Sequence, residues 1–140
     1  MDDENTVVVK KKIRVMTYEI DFAGIVSNQV YPRWLEDMRM EILQKFGDLR
    51  EMMSSGTLPV LAHMEIDFKR PLELMDEVDA SMWVEEMGDT RWVIKAEFRK
   101  GDQLCTSAVQ WGVFVDTRTM RPCSAPESFP RLSKGPSKAS

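Results

Sequence analysis

The stretch Tyr18–Glu36 reads YEIDFAGIVSNQVYPRWLE and sets a carboxylate, Asp21, among apolar neighbours just ahead of a helix-forming run. An acid at such a junction has two uses. It can be a turn residue whose side chain accepts backbone N–H bonds. It can also be a nucleophile or general base, set beside helix-start N–H groups that polarise a carbonyl. Ser27 and Asn28 follow, and each is able to donate to a substrate or water or to cap a helical turn. The backbone amides there lack intrahelical partners whatever the side chains are. His63 is the only histidine, which excludes an imidazole-rich zinc site and leaves any His-based triad to that one residue. Cys105 and Cys123 form neither a redox pair nor a metal knuckle by spacing. Lys69, Arg70 and Arg91 are candidates for an anionic substrate handle, although surface cations are common without any such role.

These residues need elements to hold them. Val7 to about Tyr18 alternates Val9, Lys11, Ile13 and Val15 with Val8, Lys10, Lys12 and Arg14, which predicts a strand with one wet face. Tyr31, Trp34, Leu35, Met38, Ile42 and Phe46 recur at three- and four-residue spacing, which predicts an amphipathic helix from Tyr31 to Phe46, with Pro32 in its first turn and Gly47 just past its end. A short helical piece over Asp48 to Ser54 is expected to stop at Gly56 and Pro59. Then the period becomes two. Val60, Ala62, Met64, Ile66 and Phe68 alternate with Leu61, His63, Glu65, Asp67 and Lys69, placing His63 on the wetter face. Val78 to Val84 and Trp92 to Phe98 repeat the alternation, separated by a turn at Gly88-Asp89 and followed by a second at KGDQ. The run from Leu104 to Val115 is apolar on much of both faces, which predicts an interior strand with one face on the helix and the other covered most simply by a second subunit. The order strand, long helix, four antiparallel strands is an α+β arrangement in which one helix and one curved sheet bury each other's apolar faces.

The chain has 140 residues, with 19 Lys and Arg against 23 Asp and Glu and a net charge of -4. That fits a single domain, expected over 7–132. It argues against nucleic acid as a partner. The opening MDDENT lacks the basic and apolar regions of a signal peptide and no apolar run is long enough to span a bilayer, so a cytoplasmic protein with no membrane partner is expected. The Ser-, Lys- and Pro-rich 133–140 segment reads as disordered.

The stretch YEIDFAGIVSNQVYPRWLEDMRMEIL resembles the opening motif of hotdog-fold acyl-CoA thioesterases of the 4-hydroxybenzoyl-CoA thioesterase type. The Arg70-Pro71 pair, the glycine-centred hairpin and the closing VDTRTMRP are similar to later signals of that family. The resemblance implies a long central helix wrapped by a five-stranded antiparallel sheet, homodimers often assembled into homotetramers, and an acyl thioester site between subunits. It gives Asp21 the role of nucleophile or general base and the backbone N–H of Asn28 that of the thioester carbonyl's donor. The substrate is an acyl thioester on coenzyme A or an acyl carrier protein, and no cofactor is implied beyond the coenzyme A of the substrate. Phe22, Gly24, Ser27, Tyr31, Trp34, Met38, Met64, Phe68, Lys69 and Arg70 are the expected substrate-binding residues; the apolar ones suggest a medium-chain or aromatic acyl group. Where many relatives carry a histidine and an asparagine, this chain has Asn28 and Val30. The alternative is therefore a non-catalytic acyl-thioester-binding or scaffold protein of the same fold. Dehydration of a hydroxyacyl thioester is disfavoured because His63 lies on the wrong element.

Overall fold

The computed structural model describes residues 7–132, so the acidic head and the expected disordered tail lie outside the described residues. Five long strands, β1 (Val8–Arg14), β2 (Thr57–Phe68), β3 (Glu77–Met87), β4 (Arg91–Lys100) and β5 (Gln103–Asp116), pair antiparallel in the order β1-β3-β4-β5-β2. A two-residue strand, β6 (Arg121–Pro122), pairs with the end of β5. Helix α1 (Val30–Gln44) lies along the concave side, and α2 (Leu49–Ser55) leads into β2. This is the hotdog architecture that the resemblance implies.

One-sided burial explains the pairing. Val78, Ala80, Met82 and Val84 on β3 and Trp92, Ile94, Ala96 and Phe98 on β4 are all buried. From the other side Leu35 and Met38 of α1 enter the same core with no exposed surface. On β5 the buried face toward the helix carries Thr106, Ala108, Gln110, Gly112 and Phe114, while Val109, Trp111 and Val113 on the opposite face are half-buried. Two of those core-facing residues are polar.

Gly112 has a packing reason. A Cβ there would sit 2.0 Å from the Val60 carbonyl oxygen and 2.4 Å from the Trp92 ring.

Three boundaries differ from the sequence expectation. Helix α1 ends at Gln44, because the Lys45 and Phe46 amides tighten onto the Ile42 and Leu43 carbonyls, at 3.0 and 2.9 Å. Gly56, at φ +94°, ends α2 as expected, but Pro59 lies inside β2. Its missing N–H is tolerated because β2 is an edge strand of the sheet. A β-bulge between Leu61 and His63 then shifts the register, so Leu61 joins Met64 and Ile66 against the core while Val60 and Ala62 are exposed. The expected single face running from Val60 through Phe68 is thus broken by one extra residue.

The aperiodic segment after β5 is ordered against the core. Phe129 is buried between Phe46 and Phe114, with ring centroids at 4.7 and 5.3 Å.

Candidate active site

Asp21 sits on a tight loop whose ends, Ile20 and Val26, pair with each other. The Asp21 amide donates to the Ile25 carbonyl and the Gly24 amide returns to the Asp21 carbonyl, each at 2.9 Å. Gly24 takes φ +85°, a left-handed conformation that most other residues adopt only with strain. The loop is tied to the chain between β2 and β3, through the Val26 amide to the Leu72 carbonyl at 2.8 Å and an Ile25–Glu73 bridge. Asp21 is exposed, and its Oδ1 accepts the Ala23 amide at 2.9 Å. The turn-acid role is therefore real. Its Oδ2 has no protein partner among the described residues, which leaves that oxygen able to meet a substrate or water.

The chain then enters α1. The Ser27 amide donates to the Glu19 carbonyl at 2.9 Å, the Gln29 amide to Ser27 Oγ at 3.2 Å, and the Val30 amide to the Ser27 carbonyl at 2.9 Å. Ser27 thus caps the turn as the sequence suggested. Between these amides, that of exposed Asn28 has no protein acceptor among the described residues. A donor left open at a helix start is the kind of group that stabilises a developing oxyanion.

Glu19 joins the loop to the helix, a role that sequence reasoning missed. Its Oε1 accepts the Met16 amide at 2.9 Å and its Oε2 the Trp34 indole N–H at 3.1 Å. The only sequence signal was an acid two residues before Asp21. Its partner lies a helical turn beyond the helix start, which the fold alone brings near.

The expected apolar binding residues separate into layers. Tyr31, Trp34 and Met38 are 2, 5 and 0% exposed and belong to the core, so they form the floor beneath the loop rather than an accessible surface. Their three- and four-residue spacing aims them at the sheet. The Tyr31 ring meets Trp34, Phe68 and Phe98 edge-on at 5.3, 5.4 and 5.5 Å. Burial raises the Tyr31 phenol above its ordinary value; the nearby Thr106 hydroxyl opposes this, although no hydrogen bond of ordinary geometry satisfies that hydroxyl. Met64 is partly buried against the core, and Phe68 is half-exposed. Phe22, expected as a pocket wall, is wholly exposed within one chain, because the tight loop turns it away from the sheet. The Lys69 and Arg70 amides both donate to the Cys105 carbonyl, at 2.8 and 2.9 Å. Lys69 Nζ pairs with Asp67 at 2.6 Å, and the exposed Arg70 side chain has no protein partner among the described residues. His63 stacks on Trp111 at 5.7 Å and bonds Glu65 at 3.0 Å. No cluster of metal-ligating side chains exists among the described residues, and no helix among them is long and apolar enough to cross a membrane.

At superfamily level the hotdog domain is that of a thioesterase-type hydrolase. The chain belongs to the Thioesterase-like superfamily, whose family model matches residues 15–131. It is 26% identical to YneP of Bacillus subtilis (strain 168) over 125 residues, covering 88% of this chain and 91% of that one. It is 28% identical to the 1,4-dihydroxy-2-naphthoyl-CoA hydrolase of Prochlorococcus marinus (strain NATL1A) over 117 residues, 76% of this chain and 77% of the other. Among solved structures, Slr0204, a 1,4-dihydroxy-2-naphthoyl-CoA thioesterase from Synechocystis, superposes with a TM-score of 0.78 over 86% of this chain and 91% of its own, at 18% identity. That likeness concerns the fold.

Proposed function

We propose that this chain hydrolyses an acyl thioester of coenzyme A to a free carboxylic acid and a thiol. The observation that carries the reading is that one loop carries a half-engaged Asp21 carboxylate and, just before α1, an open Asn28 amide. The thioester carbonyl oxygen accepts the Asn28 N–H, and a donor of this kind is worth about 3 kcal/mol in the transition state. Asp21 Oδ2 takes a proton from a water that attacks the carbonyl carbon, or attacks that carbon itself to form a mixed anhydride that water then hydrolyses; in either case the C–S bond breaks and the thiolate leaves. Arg70 is available to the phosphates of coenzyme A. Half-exposed Phe68 beside the loop favours an aromatic or medium-chain acyl group, and relatives named as 1,4-dihydroxy-2-naphthoyl-CoA hydrolases support the aromatic choice.

The site is completed by a second copy. Among the described residues β2 has no strand on its outer side, and Val60 and Phe68 on it are exposed. A long apolar edge of this kind is stable in solution when another strand covers it. Phe22 then meets the partner rather than water.

Thiol release from a panel of short, medium, long and aromatic acyl-CoAs tests the reading, with Asp21→Asn alongside. Selective release that falls about 100-fold in the variant is expected. Equal inertness of both proteins on coenzyme A and acyl-carrier-protein thioesters would overturn it in favour of a non-catalytic binding protein, the role that the Asn28 and Val30 departures allow.

A further inference from the structure

Beneath the C-terminal half of α1 the helix and sheet form a half-open cavity of about 140 Å³. A cavity of about 150 Å³ lined by apolar side chains holds a benzene molecule. Phe46, Leu61, Ile94 and Phe114 are among its apolar lining residues, and Arg39 is the charged one. Arg39 is half-buried, and its Nη1 donates to Gln110 Oε1, a neutral acceptor. It has no carboxylate within ion-pair distance among the described residues. Burial holds the guanidinium below its ordinary value, with Glu36 opposing from further off. A charge withdrawn from water without a counter-charge is unfavourable, and buried charges are as a rule paired.

Two further groups lack partners nearby. Gln110 is fully buried with Nε2 unbonded, and the buried Trp92, which lines the cavity, has its indole N–H unbonded. On the sheet Gln110 is paired with Ile94 and Trp92 with Gly112, so β4 and β5 bring these groups to one end of the core. Both of these unbonded groups are donors. What the region lacks is an acceptor, preferably an anionic one, on a body that tolerates apolar walls.

We infer that this cavity binds a small monocarboxylate with an apolar body about one aromatic ring in size, its carboxylate on Arg39 and its ring among Phe46, Ile94 and Phe114. The site is distinct from the Asp21 loop. At about 1.5 Å per residue, roughly 18 Å of helix separates Val30 from Ile42, and Tyr31, Trp34 and Met38 fill the core between. Occupancy requires no turnover, so it goes beyond the hydrolase reading and stands or falls apart from it.

Calorimetric titration of the full chain with benzoate, and with benzyl alcohol as the neutral analogue of similar size, tests the site. Arg39→Met and Asp21→Asn are titrated alongside, with a melting curve for each protein to establish folding. Benzoate is expected to saturate at one per chain, with benzyl alcohol and the Arg39→Met protein each weaker by about tenfold or more, the scale of a lost charged hydrogen bond. Asp21→Asn should bind benzoate within about twofold of the wild type, on the additivity of distant sites. Absence of saturable benzoate binding, equal binding by Arg39→Met, or loss of binding in Asp21→Asn would each overturn the inference. If Arg39→Met fails to fold, Leu43→Trp serves in its place, since half-exposed Leu43 also lines the cavity. Benzoate binding that survives that filling would overturn the inference too.

Discussion

The two ends of α1 are built on opposite plans. At its start, Ser27 and the Asp21 loop are held by backbone hydrogen bonds, the Asp21, Phe22 and Asn28 side chains are exposed, and one amide is left open among the described residues. Toward its end, aromatic and aliphatic side chains close around a void, and the polar groups left over are buried. The chemistry proposed at the first end depends on the direction of a few donors and contributes little to stability. The second end carries stability through side-chain packing, so damage there should be felt in folding first. One helix thus serves both purposes by presenting its terminus at one end and its flank at the other.

Substitutions can break this contrast or sharpen it. The largest effect is expected from Phe114→Ala, which removes a fully buried ring from the second end. It should cost about 3–5 kcal/mol in chemical denaturation, and a loss under 1 kcal/mol would mean that packing there matters less than its burial implies. Asp21→Asn should do the reverse, lowering kcat by about 100-fold while leaving the denaturation midpoint within about 0.5 kcal/mol. A large stability loss in that variant would show the loop acid to be chiefly structural. Gly112→Ala should destabilise by about 1–3 kcal/mol through overpacking against the Val60 carbonyl and the Trp92 ring, without changing the acyl preference read in thiol release. The smallest effect concerns Tyr31. Its neutral form is favoured in the folded state, so its contribution to stability is complete below pH 10.0, the ordinary value, and is lost as pH rises from there through the raised folded value. Tyr31→Phe should flatten that alkaline decline, and an identical pH profile would refute the assignment.

The same contrast explains what could be read in the sequence. Helix α1 and strands β1, β3 and β4 were legible because each buries one face, which imposes a regular period on residues such as Val78 to Val84. Strand β2 was legible only in part. The bulge at Leu61/His63 inserts a residue that composition does not mark, and an edge position makes Pro59 acceptable. At the helix start, Asp21, Gly24 and Ser27 could be picked out because turn and cap chemistry is local. Glu19–Trp34 and Arg39–Gln110 could not, since the partners lie 15 and 71 residues apart and meet only through the tertiary fold.

The loop that carries Asp21 is secured through main-chain groups, to itself and to Leu72 and Glu73. Main-chain bonds are largely indifferent to side-chain identity. Phe22 and Ala23, both exposed within one chain, make no side-chain contact there that holds the carboxylate in place. The loop behaves as an exchangeable mount. Drift at those two positions leaves the Asp21 carboxylate where it was, and under the proposed hydrolysis a two-site library there is a route to altered acyl selectivity.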